Sequence, residues 1–201
     1  MVNDFSRRHL LQLGGAGLGL MAGQGVLAAV PDAVPSELMH RARAAVAQHR
    51  SRLGHADRIG IVDFSLPSSS PRLYVVDLTS GRLERHLVAH GRGSDPAHTG
   101  WLRRFSNEPG SMASSAGAFL TANTYVGAHG RSMRLSGMDH ENSNAEARDI
   151  VIHAAPYVTS QRALETGVLG RSEGCFAVAP TSRDAILGAL GAGRLLFAAR
   201  V

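Results

Sequence analysis

Between Arg58 and Ala199 the apolar residues fall in short runs punctuated by Gly, Ser, Pro and Asn. This spacing constrains the fold more than any other feature, because short runs rich in Val, Ile and Leu are the size of strands. Arg58–Phe64 carries Ile59, Ile61 and Val62. Arg72–Leu78 and Leu83–His90 flank Thr79-Ser80-Gly81-Arg82, a hairpin turn containing the expected glycine. Further strands are expected at Gly117–Thr121, Ser132–Leu135, Ile150–His153, Cys175–Ala179 and Arg194–Ala199. Two segments read as helix. Pro35 to about Leu53 places Leu38, Ala42, Ala45 and Val46 on one face, with Ser36 as cap. A second helix ends near Leu190, with Thr181 as cap and Asp184 in capping-box spacing. Strands outnumber helices, and βαβ alternation is absent. The prediction is a mostly β (α+β) domain, a mixed β-sheet or sandwich with an N-terminal helix. Gly91–Ser115 is polar and rich in Gly and Ser, so it reads as a long loop of the kind that tends to be functional.

The N-terminus sets the expected compartment. Arg7 and Arg8 directly precede a moderately apolar stretch, and Val26-Leu27-Ala28 is a small-residue cleavage site. Residues 1–28 therefore read as a twin-arginine export signal, cut at Ala28 or Ala29. The alternatives are a membrane anchor or a disordered tail. The apolar run is roughly 15 residues, short of the ~20 needed to span a bilayer, so no stable membrane insertion is expected after cleavage. Residues 29–56 then form a linker and helix, and residues 57–201 the domain that carries the chemistry. The expected location is the periplasm or cell envelope. Every basic residue is Arg, and removing Arg7, Arg8 and Asp4 with the signal lowers the formal charge from +5 to +4. That balance suits an acidic, polymeric envelope glycan. The arginines are scattered and lack an aromatic stacking platform, which argues against nucleic acid.

Cys175 is the only cysteine. It cannot form an internal disulfide, so in an oxidising compartment it is either a buried, inert thiol or one kept for its reactivity. Its surroundings favour reactivity. Asp149-Ile-Val-Ile-His153-Ala-Ala-Pro156 is an apolar strand ending in His. Gly170-Arg-Ser172-Glu-Gly174-Cys175-Phe-Ala-Val178 is a turn with Cys at the start of a strand. A thiolate attacks a carbonyl far better than a thiol, and His153 can supply the base if the two strand ends meet. Gly174 permits a tight turn before the nucleophile. The Gly174 and Cys175 N–H groups could face a developing oxyanion, and Ser172 can hydrogen-bond within the turn.

This pair resembles the active-site motif of the L,D-transpeptidase catalytic domain (YkuD-like), in which an apolar strand ends in His and a later turn carries Ser-x-Gly-Cys. The resemblance is greatest to the murein L,D-transpeptidase subgroup with Gly-Arg-Ser-x-Gly-Cys, and it extends over roughly residues 58–180. It includes Val62–Val75, Leu87–Arg92, Phe105–Ser111, Ser114–Gly117, Tyr125–Gly130, Ser132–Gly137 and Ala145–His153. It implies a β-rich fold and a two-step acyl transfer on peptidoglycan stem peptides. Cys175 would attack after the L-centre of diaminopimelate and release D-alanine, and a second stem amine or water would resolve the thioester. Catalytic roles are implied for Cys175, His153, Ser172 and Gly174, and substrate contacts for Tyr125, His129, Ala154, Arg171 and Glu173. No metal or organic cofactor is implied, and carbapenems are expected as covalent inhibitors. The chain carries Ala154 where Gly or Ser is usual after the His, Glu173 before Gly174, and Phe176 where many subgroup members have Pro. The Arg or Asn found shortly after the Cys in the wider family is missing.

Other residues leave two readings open. Tyr125 and His129 either line the pocket or form a structural loop pair, and Tyr125 could donate to the oxyanion. His90-Gly91-Arg92 is a pocket wall or an ordinary turn. Arg131 and Arg134 meet a substrate carboxylate or lie on a solvated strand face. Trp101 is a lid residue or an anchor. Ten histidines raise the question of a metal, yet no H-E-x-x-H spacing occurs. Apart from the transpeptidase reading, an L,D-carboxypeptidase and a non-catalytic envelope-binding protein on an enzyme fold remain as alternatives.

Overall fold

The computed structural model describes residues 33–201. The stretch expected as an export signal, residues 1–28, and the first residues of the expected linker lie outside the described residues. The first element is helix α1, Ser36–Gln48. Four strands follow: β1 Arg58–Asp63, β2 Leu73–Asp77, β3 Leu83–His86 and β4 Val88–Ala89. After a long loop come the hairpin strands β5 Gly117–Gly127 and β6 Gly130–Gly137, then β7 Val151–Ala154. Helix α2 Ser160–Thr166, strand β8 Phe176–Val178, helix α3 Arg183–Leu190 and strand β9 Leu195–Ala199 complete the chain.

The nine strands form one mixed sheet in the order β3-β2-β1-β9-β5-β6-β7-β8-β4. Only β1–β9 and β7–β8 pair in parallel. The two edge strands are consecutive in sequence. Leu83–His90, expected as one strand, pairs with β2 through His86 and then with β8 from Val88. The chain leaves one edge and joins the other at Leu87, so the sheet curls back on itself as strands do at the corners of orthogonal packings.

Curling encloses the main core. Phe64 stacks on Phe176 at 6.2 Å, and Phe119 meets Phe176 edge-on at 5.4 Å. All three rings are at most 1% exposed, and Ile186, Leu187 and Leu190 of α3 pack on the same cluster. Burial of each such side chain contributes about 1.5–3 kcal/mol. A second cluster on the other face joins α1 to the sheet through Leu38, Ala42 and Ala45. The N-terminal helix is therefore part of the core.

Capping departs from the expected pattern. Pro35 occupies the N-cap of α1 and Ser36 is its first helical residue, with no side-chain cap. α1 also stops at Gln48, where the His49 ring reaches Asp139 at 2.8 Å. Ser182, not Thr181, precedes α3. Asp184 instead bonds Arg183 and Arg131. Helix α2 has no buried residue, so no apolar period announces it. Its signals are purely terminal, with Thr159 accepting from the Arg162 N–H and Gly167 in the left-handed conformation.

Candidate active site

β7 and β8 lie side by side, with Ile152 opposite Phe176 and His153 opposite Ala177. Side chains alternate across a strand. Ile152 and Phe176 enter the core, and His153 and Ala177 face the other surface. Cys175 precedes β8 by one residue, two positions from Ala177, so it shares that surface with His153. β6 and β5 widen it: Ser132 pairs with His153, Arg134 with Val151, and Tyr125 with Ser132. The surface thus carries a row Tyr125–Ser132–His153–Ala177 and beside it a row Arg134–Val151–Cys175.

The Cys175 thiol donates to the Asp149 carbonyl at 3.3 Å. Burial pushes the thiol pKa up. The Val151 N–H opposes this, Asp149 adds to it, Arg148 opposes it and Glu173 adds to it least. His153 is 3% exposed, and burial pulls its pKa down against the Ala154 carbonyl. Its Nδ1 lies 2.9 Å from Ala154 O. A carbonyl only accepts, so Nδ1 carries the proton and Nε2 keeps its lone pair. The His129 ring stacks on His153 at 4.2 Å from the exposed tip of the β5–β6 hairpin. The resting pair is thus a protonated thiol and a neutral imidazole, each bonded to a backbone carbonyl.

The turn before the thiol is held from both sides. Ser172 Oγ donates to Cys175 O at 2.7 Å and accepts from the Gly174 N–H at 3.2 Å. The Gly174 N–H, expected to face an oxyanion, is instead taken inside the turn, because the chain folds back over the Ser172 hydroxyl. Ser114 Oγ donates to Gly174 O at 3.1 Å and is fully buried. A planar trans peptide then directs the Cys175 N–H away from Ser114. Gly174 has φ +123°, and a Cβ there would sit 2.8 Å from Ile150 Cδ1 and 2.9 Å from Ala113 O. Gly91 is pressed as closely: it bridges to Ser172, and a Cβ would fall 2.3 Å from Met112 O.

The loop Gly91–Ser115 is the backing of this turn. Arg148 fastens it, donating to Ser106 O and Ser115 Oγ at 2.7 Å, to Ser111 Oγ at 3.2 Å and to Ala113 O. Beneath lies a buried polar group. Arg72 is fully buried, donates to Val88 O and Leu66 O, and meets His90 Nδ1 at 2.7 Å. Burial lowers Arg72 to about 9 and His90 to about 3. The neutral His90 thus accepts from Arg72 and turns its Nε2–H toward Asp95, 3.5 Å away. His90 O in turn accepts the Ser172 N–H at 3.0 Å.

The remaining expected site residues are spread around the thiol. Glu173 is exposed and pairs with Arg92 at 2.7 Å, directed to solvent. Arg171 donates to Asp95 O and, at 3.1 Å, to Pro96 O, so its cation braces the loop. Ala154 ends β7 and supplies the carbonyl that orients His153. Tyr125 is half-buried under the Arg134 guanidinium, 4.4 Å from the ring centre. Trp101 is 43% exposed. Sequence reasoning misses Ser114, Arg148, Arg72 and Tyr157. Burial, then the charges of Cys175 and Glu173, raises Tyr157 to about 12. Ser114, Arg148 and Arg72 do fall inside the stretches that carry the family resemblance, and that is their one signal. Among the described residues no three His, Cys, Asp or Glu side chains gather as a metal site.

Solved structures that match the chain include an L,D-transpeptidase from Mycobacterium smegmatis, 12% identical with a TM-score of 0.42 over 72% of this chain and 59% of that one. An L,D-transpeptidase from Mycobacterium tuberculosis is 12% identical with a TM-score of 0.45, over 72% of this chain and 58% of that one. L,D-transpeptidase 3 of the same organism is 13% identical with a TM-score of 0.45, over 72% and 61%. The chain thus spans about three-fifths of the length of these proteins. No curated protein matches it. The family model of the L,D-transpeptidase catalytic domain matches residues 32–199, all but the two ends of the chain, and the chain belongs to that family.

Proposed function

We propose that this chain is an exported L,D-transpeptidase that remodels peptidoglycan in the periplasm or cell envelope, with Cys175 as nucleophile and His153 as base. One observation carries the reading: Cys175 and His153 face one surface from adjacent parallel strands, and the His153 Nδ1–H bond to Ala154 leaves Nε2 free to take a proton. In the resting state the thiol keeps its proton. Docking of a stem tetrapeptide displaces the thiol from Asp149 O, and Nε2 accepts the proton as Sγ attacks the carbonyl after the L-centre of diaminopimelate. The Cys175 N–H, directed by the Ser114–Gly174 bond, meets the oxyanion. The carbon–nitrogen bond breaks, and the imidazolium returns the proton to the departing D-alanine amine. A thioester remains. A second stem amine gives a proton to Nε2, attacks the thioester and releases the thiolate, forming the crosslink. Water in place of the amine gives L,D-carboxypeptidase trimming.

Intact-mass spectrometry of the mature protein after incubation with a carbapenem, beside Cys175→Ala, tests this. The expected result is one covalent adduct in the native chain and none in the variant. A folded native chain that gains no adduct overturns the reading in favour of a non-catalytic envelope-binding protein.

A further inference from the structure

The positive charge of the chain is concentrated at its first helix. In residues 36–52, Arg41, Arg43, Arg50 and Arg52 stand against the single acid Glu37, a formal +3 where the whole chain has +5. Arg43 is on the crest of α1, opposite the buried Leu38, Ala42 and Ala45, and Arg41 on its flank lies over the Phe197 ring at 5.8 Å. Arg50 and Arg52 follow in the turn after the helix. One bond ties each, to Leu53 O at 3.3 Å and to Met138 O at 3.5 Å. A guanidinium carries five N–H donors, so these bonds fix the stems and leave most donors to solvent. All four arginines are exposed, and among the described residues none of them has an acidic partner.

Such a face fits a polyanion, and its shape narrows the class. Clefts open beside the thiol, at the Leu87 corner, next to Arg82 and next to Arg92, and α1 lines none of these four. A polymer strand is gripped in a groove. The crest of α1 is convex, with the small side chains of Ser36, Ala44 and Ala47 beside the long arginines, so the guanidinium groups can all reach one plane. The apolar face of α1 is already buried against β1 and β9. No described helix is long and apolar enough to cross a membrane. Contact with a bilayer is therefore by charge at the headgroups, without insertion. The sheet puts this face on the side of the thiol. Leu120 of β5 packs with the α1 cluster and pairs with Ser136. Ser136, Arg134 and Ser132 alternate onto that same face of β6, and Ser132 pairs with His153. From β9 under α1 to β8 is four strand spacings, about 19 Å along the sheet.

We infer that the arginine face of α1 docks the folded domain on an anionic phospholipid surface. Headgroup phosphates meet Arg41, Arg43, Arg50 and Arg52, and the thiol is held within about 20 Å of the bilayer. The docking stands on α1 alone. Its consequence, that the peptidoglycan worked on is the layer next to the membrane, rests on the L,D-transpeptidase reading.

The test is flotation of the mature protein with vesicles of phosphatidylcholine, alone or mixed with phosphatidylglycerol, beside pelleting with purified peptidoglycan. Flotation should need phosphatidylglycerol and be lost at about 1 M salt, where charge acts over only about 3 Å. Arg43→Gln/Arg50→Gln should weaken vesicle binding about thirtyfold, each arginine near an anionic surface being worth about fivefold. Arg103→Gln/Arg104→Gln removes the same charge from the loop behind the thiol and should leave vesicle binding unchanged. Equal losses in the two double variants, at unchanged melting temperatures, would trace adsorption to overall charge and overturn the assignment. Failure to float with phosphatidylglycerol vesicles overturns it too. Pelleting with peptidoglycan that Arg43→Gln/Arg50→Gln abolishes, with the vesicles ignored, gives the face to the wall polymer instead. If the vesicle results hold but the native chain takes no carbapenem adduct, the transpeptidase reading fails and the docking stands.

Discussion

At the scale of single residues, the candidate nucleophile has beside it a cation that is not among the expected site residues. Arg148 opposes the burial that raises the Cys175 pKa, and it braces Ala113 and Ser111 behind Gly174. Arg148→Gln should therefore slow alkylation of Cys175 by iodoacetamide at pH 8 and move the pH midpoint of that reaction upward, because a cation that favours the thiolate is lost. The rate-against-pH curve checks this; an unshifted midpoint in a folded variant would reduce Arg148 to a loop fastener. Cys175, His153 and Ser172 stand out in the sequence as candidates because the thiol and the imidazole each sit near a strand end, within one short span of chain. Ser114 and Arg148 do not. Ser114 contacts Gly174 across 60 positions, and nothing local in a polar, serine-rich loop distinguishes the serine that turns inward.

Among the elements, strands are read more faithfully than helix ends, because strands such as β1, β2 and β9 are near-continuous buried apolar runs while caps depend on one or two atoms. β1 and β9 fall close to their expected ranges. β5 runs on to Gly127 past a register shift near Thr121, and its exposed outer half shows little apolar signal. The corner at Leu87 goes unread for a different reason: Leu83–His86 and Val88–Ala89 follow one another with no Gly, Pro or Asn between them to mark a break. Two substitutions separate the roles of the elements. Leu38→Ala in α1 removes a side chain that is fully buried and should cost 2–5 kcal/mol of unfolding free energy, while the alkylation rate of Cys175 in the folded fraction stays unchanged. Gly91→Ala forces a methyl against Met112 O and Gly174 Cα. It should cost about 1–3 kcal/mol and also slow Cys175 alkylation, because the displaced backbone carries the turn. Urea melts and alkylation rates measured on both variants check the contrast; equal alkylation rates would detach Gly91 from the site.

Across the whole molecule, acid sensitivity should follow the buried histidine. His90 is held near pKa 3 by burial and by Arg72, whereas an unfolded chain titrates it near 6.5. Between those values the unfolded state binds a proton that the folded state refuses, so stability is whole above about pH 6.5 and falls as pH drops toward 3. The slope is at most about 1.4 kcal/mol per pH unit from this group, and His153 and His86, both lowered chiefly by burial, add to it. Unfolding free energies at pH 7 and pH 5 should differ in that direction, and His90→Asn should flatten the profile. An unchanged stability over the interval would mean that His90 is already charged beside Asp95.

The sheet that turns the corner at Leu87 also decides how copies of the chain meet. Its two edge strands are four and two residues long. Each therefore exposes only a short row of backbone amides and carbonyls, too brief a template for a second chain to add strands in register. A domain with nine strands ought to be prone to edge-to-edge stacking when concentrated; this one should stay dispersed, because a single bend divides what would have been one long adhesive strand into two stubs.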